Sequence, residues 1–541
     1  MKKIINLILM LVLIFSLAIL IGNTSSASNS NPLSDVRVRQ AIAYAIDMET
    51  IVEGMFEGKA TTTNSLVPPD DAMKAEGLTT YTYNPELARQ LLAEANWDYD
   101  YVLDVAFYYG DQQTVDLMAT IQAYLAGVGM KMSFRKIEGD TAAQLWTAPE
   151  DRVNGPAEVD WDLAYGAIAA LTLNDYFDRF GTESHINSHT PTDPELDALI
   201  ETTNTTGDLA VQAEAFKQIQ AIINSKVYAI PLYHQQLFIY ESSRLDRGTS
   251  EYGNDQYFYD WGITDWTLEG STTLQGIGAP AEAFPAPFLN PGLDISNKLL
   301  FDRLILADAN LTPSEPMLAE SYDLSDDGMT LTLDLREDVK WHDGEPFTAA
   351  DVEFTFELLA TVPACHDIAR STILAIEGAQ AFAEGTADSI SGISVDGNTM
   401  TIKFEKINPN ILLVLSQWAI LPEHLLGDTN PLEIQKDKFW QSPVGTGPFK
   451  IEEVSLNDFA TFSRNADYFM ESTGNIETIE LVVGGETEGD LPLSAEAGKI
   501  DYAFGKSVPE ATAIEALDNM KVTPVNIRYT RLLYVNKFPK K

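Results

Sequence analysis

Segments with the apolar period of a helix alternate with segments typical of strands along most of the chain. Residues 329–335 alternate strictly between apolar and polar side chains, as in a half-buried strand, and follow an Asp-Asp-Gly turn. Val38, Ala41 and Ala45 share one helical face. The same patterns predict helices starting after Asn84, Asp193 and Thr348 and over 114–127, and strands over 101–108, 229–233, 398–404 and 476–483. This alternation predicts an α/β fold.

The composition places the chain among ordinary globular proteins. Its 541 residues are enough for roughly two to four domains, and 45% of them are apolar. The single cysteine, Cys365, excludes a disulfide framework and a CxxC metal or redox site. The formal net charge of −45 argues against nucleic acid and anionic membranes as partners, because phosphate binding needs clustered Lys and Arg.

Residues 1–27 have the order of a secretion signal. Lys2 and Lys3 precede an apolar run over 4–21, and small residues follow it, with Ala27 at the expected cleavage site. The run is also long enough for an N-terminal anchor that stays uncleaved. We therefore expect an exported protein, periplasmic or at the cell surface, either soluble or held by this helix.

The sequence contains none of the common catalytic or cofactor-binding motifs. It has no Walker A loop, no GxSxG elbow and no HExxH pair. His185 and His189 have the i,i+4 spacing of metal ligands on a helix, but the residues between them are typical of a loop. Cys365 and His366 are adjacent and lack a third group. We therefore predict no enzyme activity, no resident metal and no cofactor.

Several longer stretches together carry a family resemblance. They are LAESY at 318–322, VKWHDGEPFTAADV at 339–352, ILPEH at 420–424, PVGTGPF at 443–449, RNADYF at 464–469 and LLYVN at 532–536. In this combination they closely resemble the family 5 extracellular solute-binding proteins, the receptors of oligopeptide, dipeptide and nickel ABC importers. The resemblance covers nearly the whole chain after residue 30.

The resemblance implies a fold and a function. The expected fold is α/β, two-lobed and periplasmic-binding-protein-like (class II, cluster C type), with mixed sheets and an extra subdomain; its lobes close on a ligand by hinge motion. The expected function is capture of peptides or similar small organic solutes for an ABC permease, by a monomer that needs no cofactor. Two alternatives stay open: a receptor for a metal chelate such as nickel, with His185, His189 or His234 as ligands, and a non-transport surface sensor or chaperone.

The order of these stretches along the chain differs from the order in the family. Family members place a segment like DVRVRQA directly after a strand like LLYVN, whereas here it opens the body at 35–41 and that strand closes it at 532–536. Joining Lys541 to Asn31 would restore the usual order. The chain therefore resembles a circular permutant, with the family's former ends fused within 262–274; a misassembled gene is the alternative.

The permuted interpretation divides the chain into four parts. They are a signal peptide or anchor at 1–27, a ligand-binding lobe at 31–235 equivalent to the family's C-terminal lobe, a crossover and fused junction at 236–273, and a lobe at 274–541 equivalent to the family's N-terminal lobe with its extra subdomain. A cut between Asn536 and Asn31 is expected to leave one covalent crossover and a looser hinge, unless Leu532–Asn536 still pairs across it.

The resemblance also suggests candidate ligand-binding residues. In peptide-binding members, an Asp in a GW-containing loop pairs with the free amine of the ligand. Ala170 takes the position of this Asp here, and Ala167 that of the Trp, a departure that weakens the interpretation of the chain as a receptor for the peptide amine. Asn174 or Asp175 could replace the acid if the loop is shifted by a few residues. The other candidates, which are aromatic or neighbour an aromatic residue, are Trp418, Tyr165, Gly166, Tyr233 and His234.

Overall fold

The computed structural model describes residues 31–69, 71, 73–184, 186–289, 295–483 and 490–541. The predicted signal segment and His185 lie outside these ranges. Across the part of the chain that is described, no helix has both the length and the apolar character that a bilayer crossing requires.

The described residues form a mixed α/β structure. The strands are β1 (Ala60–Thr62), β2 (Val102–Phe107), β3 (Lys131–Lys136), β4 (Leu163–Ala169), β5 (Ala229–Ser242), β6 (Leu245–Asp246), β7 (Thr267–Leu268), β8 (Thr273–Ile277), β9 (Ile305–Ala307), β10 (Pro313–Pro316), β11 (Ala319–Leu324), β12 (Thr330–Leu335), β13 (Ile393–Asp396), β14 (Thr399–Lys403), β15 (Phe449–Ser455), β16 (Phe459–Arg464), β17 (Thr478–Val482), β18 (Tyr502–Gly505) and β19 (Met520–Val535). Each strand predicted from the sequence is present.

The helices follow the predicted starts. They are α1 (Val36–Ala45), α2 (Met48–Met55), α3 (Pro85–Glu94), α4 (Gln112–Gly127), α5 (Thr141–Trp146), α6 (Leu173–Phe177), α7 (Pro194–Thr205), α8 (Leu209–Lys226), α9 (Ile295–Leu300), α10 (Ala349–Thr361), α11 (Asp367–Leu374), α12 (Ala379–Ala383), α13 (Ile411–Gln417), α14 (Glu423–Leu426), α15 (Asp490–Glu496) and α16 (Val508–Glu515). Thr348 and Asp351 form a capping box before α10, which satisfies free N–H groups of its first turn.

One long sheet runs through both halves of the molecule. Its strand order is β15-β16-β17-β8-β18-β5-β19-β4-β2-β3, with β1 paired to β5. Pairs β17–β8, β8–β18, β2–β3 and β2–β4 are parallel, and the other pairs are antiparallel. We call the part built on β4, β2 and β3 the first lobe, and the part built on β15 to β18 the second lobe.

Strands β5 and β19 form a ribbon that joins the lobes. Val522 of β19 pairs with Tyr240 beside the second lobe, and Leu533 pairs with Ile230 beside the first lobe. The last residues of β19 also pair with β4, from Tyr529 to Val535. Two strands therefore cross between the lobes. The expectation of a single crossover is wrong, because β19 returns the chain to the first lobe, and the predicted cause of a looser hinge does not arise.

The ribbon contains a bulge beside Pro231. Proline cannot donate a ladder hydrogen bond, so it needs an edge or an irregularity. Pro231 lies in the central strand β5, where the register with β19 shifts between Arg531 and Leu532. A second shift lies between Asn526 and Thr530. The pairing of the two crossing strands is thus interrupted near their middle.

The second lobe carries a separate four-stranded sheet of order β11-β12-β14-β13. Its buried face includes Leu331, Leu333 and Met400, which join the apolar core of the second lobe. Helices α10 to α12 lie between β12 and β13 in the chain and contribute to the same core. This sheet lies within residues 274–541, the part of the chain for which an extra subdomain is predicted.

Two turns of the second lobe, at 342–344 and 445–447, support each other. Gly445 N donates to His342 Nδ1 over 3.2 Å, and His342 Nε2 donates to Gly447 O over 3.0 Å. Burial lowers the pKa of His342 to about 4, so the ring is neutral at pH 7. A Cβ at Gly445 would lie 1.7 Å from Leu300 O, so no larger residue fits there. Both motifs therefore serve the scaffold.

Asn31 ties the start of the described chain to the segment after β19. Its Nδ2 donates to Asn536 O over 2.6 Å and to Phe538 O over 2.8 Å, while its Oδ1 accepts from Leu33 N over 2.9 Å. The side chain is buried, so these groups have little access to water.

We expect Asn31→Ala to lower the free energy of unfolding by about 2–4 kcal/mol, because two buried carbonyls lose their donor. Urea denaturation of the variant and the parent chain would measure the difference. Asn310→Ala removes an exposed asparagine whose side chain forms no hydrogen bond with a described residue, and should change the value by less than about 0.5 kcal/mol. Equal stability of the parent and Asn31→Ala would contradict this role.

Candidate functional site

A cavity of about 790 Å³ separates the first lobe from helix α11 of the second lobe. The first lobe contributes residues between Asp175 and Glu201, from α6 to α7, and the second lobe contributes residues from Asp367 to Leu374. Six carboxylates and two guanidinium groups line it: Asp175, Asp178, Glu183, Asp197, Glu201, Asp367, Arg179 and Arg370. The excess of acids favours a cationic group on whatever binds here.

Asp175 is held at the start of α6 with one oxygen occupied. Its Oδ2 accepts from Leu171 N over 2.8 Å and from Thr172 N over 2.9 Å, so the carboxylate is oriented by the backbone. No hydrogen bond from a described group to its Oδ1 is seen. Burial raises the pKa of Asp175, and the positive potential of His366 opposes this rise.

Asp178 lies one turn further along the same wall. Burial raises its pKa to about 6, even though Asn204 Nδ2 donates to its Oδ1 over 3.1 Å. Arg179 does not neutralise this pair with an ion pair, because its guanidinium donates to Asp175 O and to the hydroxyl of Tyr534. The two carboxylates therefore keep capacity for an external cation.

A smaller cavity of about 200 Å³ lies beside the β5–β19 ribbon. Tyr165 and Tyr233 line it, and their hydroxyls are 2.8 Å apart. Lys506 and Arg531 line it as well. This cavity brings together two of the predicted residues and two cations that the sequence did not single out. A third cavity, of about 320 Å³, lies inside the first lobe and shares no lining residue with the other two.

The structure places Trp418 in the core of the second lobe. Its side chain is 2% exposed, and its Nε1 donates to Phe288 O over 3.2 Å. The ring packs edge-on against His366, with 5.7 Å between centroids. Trp418 lines neither cavity between the lobes, so its geometry gives no support to ligand contact.

Three other candidates are occupied by contacts within the first lobe. Asn174 Nδ2 donates to Thr203 Oγ1 and to Asn204 Oδ1. A Cβ at Gly166 would lie 3.1 Å from the Tyr534 ring, so close packing explains this glycine. His234 Nδ1 donates to Thr530 Oγ1 over 2.9 Å, because the Thr530 hydroxyl donates to Leu66 O. Ala170 is buried, and its N–H donates to Arg528 O.

The chelate alternative gains no support from the residues that are described. These hold no group of three or more His, Cys, Asp or Glu side chains placed to bind a metal ion. His189 is fully buried, and its Nε2 lies 2.7 Å from Leu145 O. Burial lowers the pKa of His189 to about 4. The Cys365 thiol is buried too, which raises its pKa to about 12.

The neutral state of His189 predicts a specific pH dependence. In the unfolded chain this ring takes up a proton below its ordinary pKa of about 6.5. In the folded chain it stays neutral down to about pH 4. Between pH 7 and 5 the parent should therefore lose about 2 kcal/mol more stability than His189→Gln, whose amide can still donate to Leu145 O. Urea denaturation at both pH values measures this difference. Parallel losses in the two proteins would exclude a buried neutral ring.

The chain matches the profile of the family described as "Bacterial extracellular solute-binding proteins, family 5 Middle" over residues 13–177 and 314–538. A putative ABC transporter peptide-binding protein of Brucella ovis is 34% identical over 169 residues, which are 31% of this chain and 29% of that protein. The dipeptide-binding protein DppE of Bacillus subtilis is 28% identical over 218 residues, 39% of this chain and 38% of that one. The aligned part thus spans about a third of these relatives.

Solved structures of similar proteins align over less than half of the chain. The oligopeptide-binding protein AppA of Bacillus subtilis, in complex with a nonapeptide, gives a TM-score of 0.38 at 24% identity and covers 46% of each chain. NikZ of Campylobacter jejuni, in complex with Ni(L-His), gives a TM-score of 0.34 at 26% identity and covers 42% of each chain.

Proposed function

The chain belongs to the bacterial extracellular solute-binding proteins of family 5, and we propose that it is an exported ABC-importer receptor that captures peptides or similar small organic solutes between its lobes. The observation that carries the proposal is the oriented carboxylate of Asp175 in the acidic interlobe cavity. Peptide binding by the aligned relatives, as their names state, supports the same assignment.

The amine of the solute would bind beside Asp175 and Asp178. A free ammonium buried without a counter-charge is costly, so a cleft that takes peptides by their amine needs an acid there. Asp175 follows Ala170, which occupies the family's usual acidic position, by five residues. At the first turn of α6 the backbone holds Oδ2 of Asp175, and this leaves Oδ1 for a ligand in a residue that lines the cavity. Closure of the lobes would then remove water and strengthen the contact.

We expect Asp175→Asn to weaken binding of free-amine peptides about 10- to 100-fold, the usual range for loss of a charge-assisted hydrogen bond. Asparagine can still accept the backbone bonds that start α6, so the fold is preserved. Native mass spectrometry of an equimolar tripeptide mixture, compared with its N-acetylated form, measures the preference for the amine. Glu201→Gln, which removes an exposed carboxylate from the same cavity, is the matched control.

The same preference should fall in the parent protein as the pH is lowered through about 6. Burial raises the pKa of Asp178 to about 6, so this acid takes up a proton in that range and loses its attraction for an ammonium. Burial also raises the pKa of Asp175, which acts in the same direction. Asp175→Asn should show a flatter profile. Equal binding of free and N-acetylated peptides at pH 7.5 would overturn the assignment of Asp175.

The proposal extends to the partners and to the order of the lobes. The receptor would act as a monomer that delivers its solute to a membrane permease, without a catalytic step. The circularly permuted order is supported by the contacts that join Asn31 to Asn536 and Phe538, because permutation requires chain segments that meet in space.

A chain restored to the family's usual order tests the permutation. Residue 541 would be joined to Asn31 by a short Gly-Ser linker, and the chain opened after Gly270, an exposed turn residue with φ of +74°. We expect the rearranged chain to fold with a free energy of unfolding within about 1 kcal/mol of the parent and to bind the same tripeptides. A rearranged chain that is unfolded, while the parent is folded, would contradict equivalence of the two orders.

A further inference from the structure

Two cations, Lys506 and Arg531, face the small cavity at the β5–β19 ribbon, and neither forms an ion pair with a described carboxylate. We propose that this cavity binds a carboxylate of the captured solute, with Lys506 and Arg531 as its ligands. The inference rests on the proposed function, since it places a second end of the same solute.

Arg531 has a donor that nothing in the described structure satisfies. Its Nε donates to Gln235 Oε1 over 2.8 Å, but its buried Nη1 has no hydrogen-bond partner. The guanidinium carbon lies 4.0 Å from the centroid of the Tyr109 ring and 5.2 Å from that of Tyr529. Aromatic faces stabilise a cation without accepting its hydrogen bonds, so an anion is the missing partner.

Lys506 reaches the same cavity from the second lobe. Its Nζ lies 4.1 Å from the centroid of the Tyr529 ring, and its backbone O accepts from Gln235 Nε2. Gln235 thus joins the two cations. Burial, followed by the positive charge of Arg531, lowers the pKa of Lys506 to about 8, which indicates that no counter-charge balances this amine.

Asp111 is the one carboxylate among the described residues that line this cavity, and it is already engaged. Its Oδ1 accepts from Thr114 N over 2.7 Å and its Oδ2 accepts from Thr114 Oγ1 over 2.9 Å, which caps helix α4. It lies beyond ion-pair distance of both cations.

Two helices also begin at this cavity. Helix α4 starts after Asp111, and α16 starts after Ser507, whose hydroxyl accepts from Glu510 N. Helix N-termini carry partial positive charge and favour anions. The volume of about 200 Å³ suits the terminal residue of a solute rather than a whole peptide. A carboxylate is therefore the group that fits the charge, the size and the proposed solute.

The experiment compares an equimolar tripeptide mixture with the same mixture as C-terminal amides, by native mass spectrometry on residues 31–541. The parent should take up the free acids at least tenfold more than the amides. Lys506→Gln should bring this ratio to within about threefold of unity. Lys499→Gln, which removes an exposed lysine, should keep the parent ratio, and Arg531→Gln is the second variant, to be used where it folds.

Each outcome of this experiment either supports or overturns the carboxylate site. Free acids and amides bound equally by the parent, or a preference that survives in Lys506→Gln, would overturn the carboxylate site and leave the peptide receptor standing. If no peptide binds, sodium acetate becomes the probe: a rise in melting temperature of the parent that Lys506→Gln lacks would support the carboxylate site while the peptide function fails. Absence of both effects would overturn both.

Discussion

The pairing of β5 with β19 is the interaction on which the rest of the structure depends. Each strand is longer than a typical strand, with 14 and 16 residues, and each belongs to both lobes. The main sheet continues through this pair, so the hydrogen bonds of the ribbon join the strands of the two lobes into one sheet. The acidic cavity lies between residues 175–201, which follow β4, and helix α11 of the second lobe, and the cationic cavity lies beside the ribbon itself.

Local signals made much of the fold predictable. The capping box at Thr348, the alternation at 329–335 and the bulge at Pro231 each depend on a few neighbouring residues, and the structure contains all three. The β5–β19 ribbon joins residues almost 300 positions apart, so no local pattern reveals it. The expectation of one crossover failed for this reason: it followed from chain order, whereas the number of crossings is set by the path of β19.

The candidate site was predictable only in part. The sequence offered Asp175 as a substitute for the family's acid, whose position Ala170 takes here. The backbone donors of Leu171 and Thr172 explain why an acid at this later position is oriented. Trp418 illustrates the limit, because a large aromatic side chain fits a core as well as a cleft. No sequence motif or regular spacing marks Lys506 and Arg531 as a pair, and they come close only because α16 and β19 meet in the fold.

The cationic cavity lies where the pairing of the ribbon is interrupted, so a ligand bound there could influence the movement of the lobes. Between Asn526 and Thr530 the two strands lose register, so residues at this point can change their backbone angles at a lower cost than paired ones. Tyr529 lies in that interruption and contacts Lys506 from the second lobe and Arg531 on the first-lobe side. An anion held by both cations would connect the lobes across this irregular part of the ribbon. Because a ligand shifts an equilibrium only through groups it contacts differently in the two states, such a bridge would favour the closed arrangement directly.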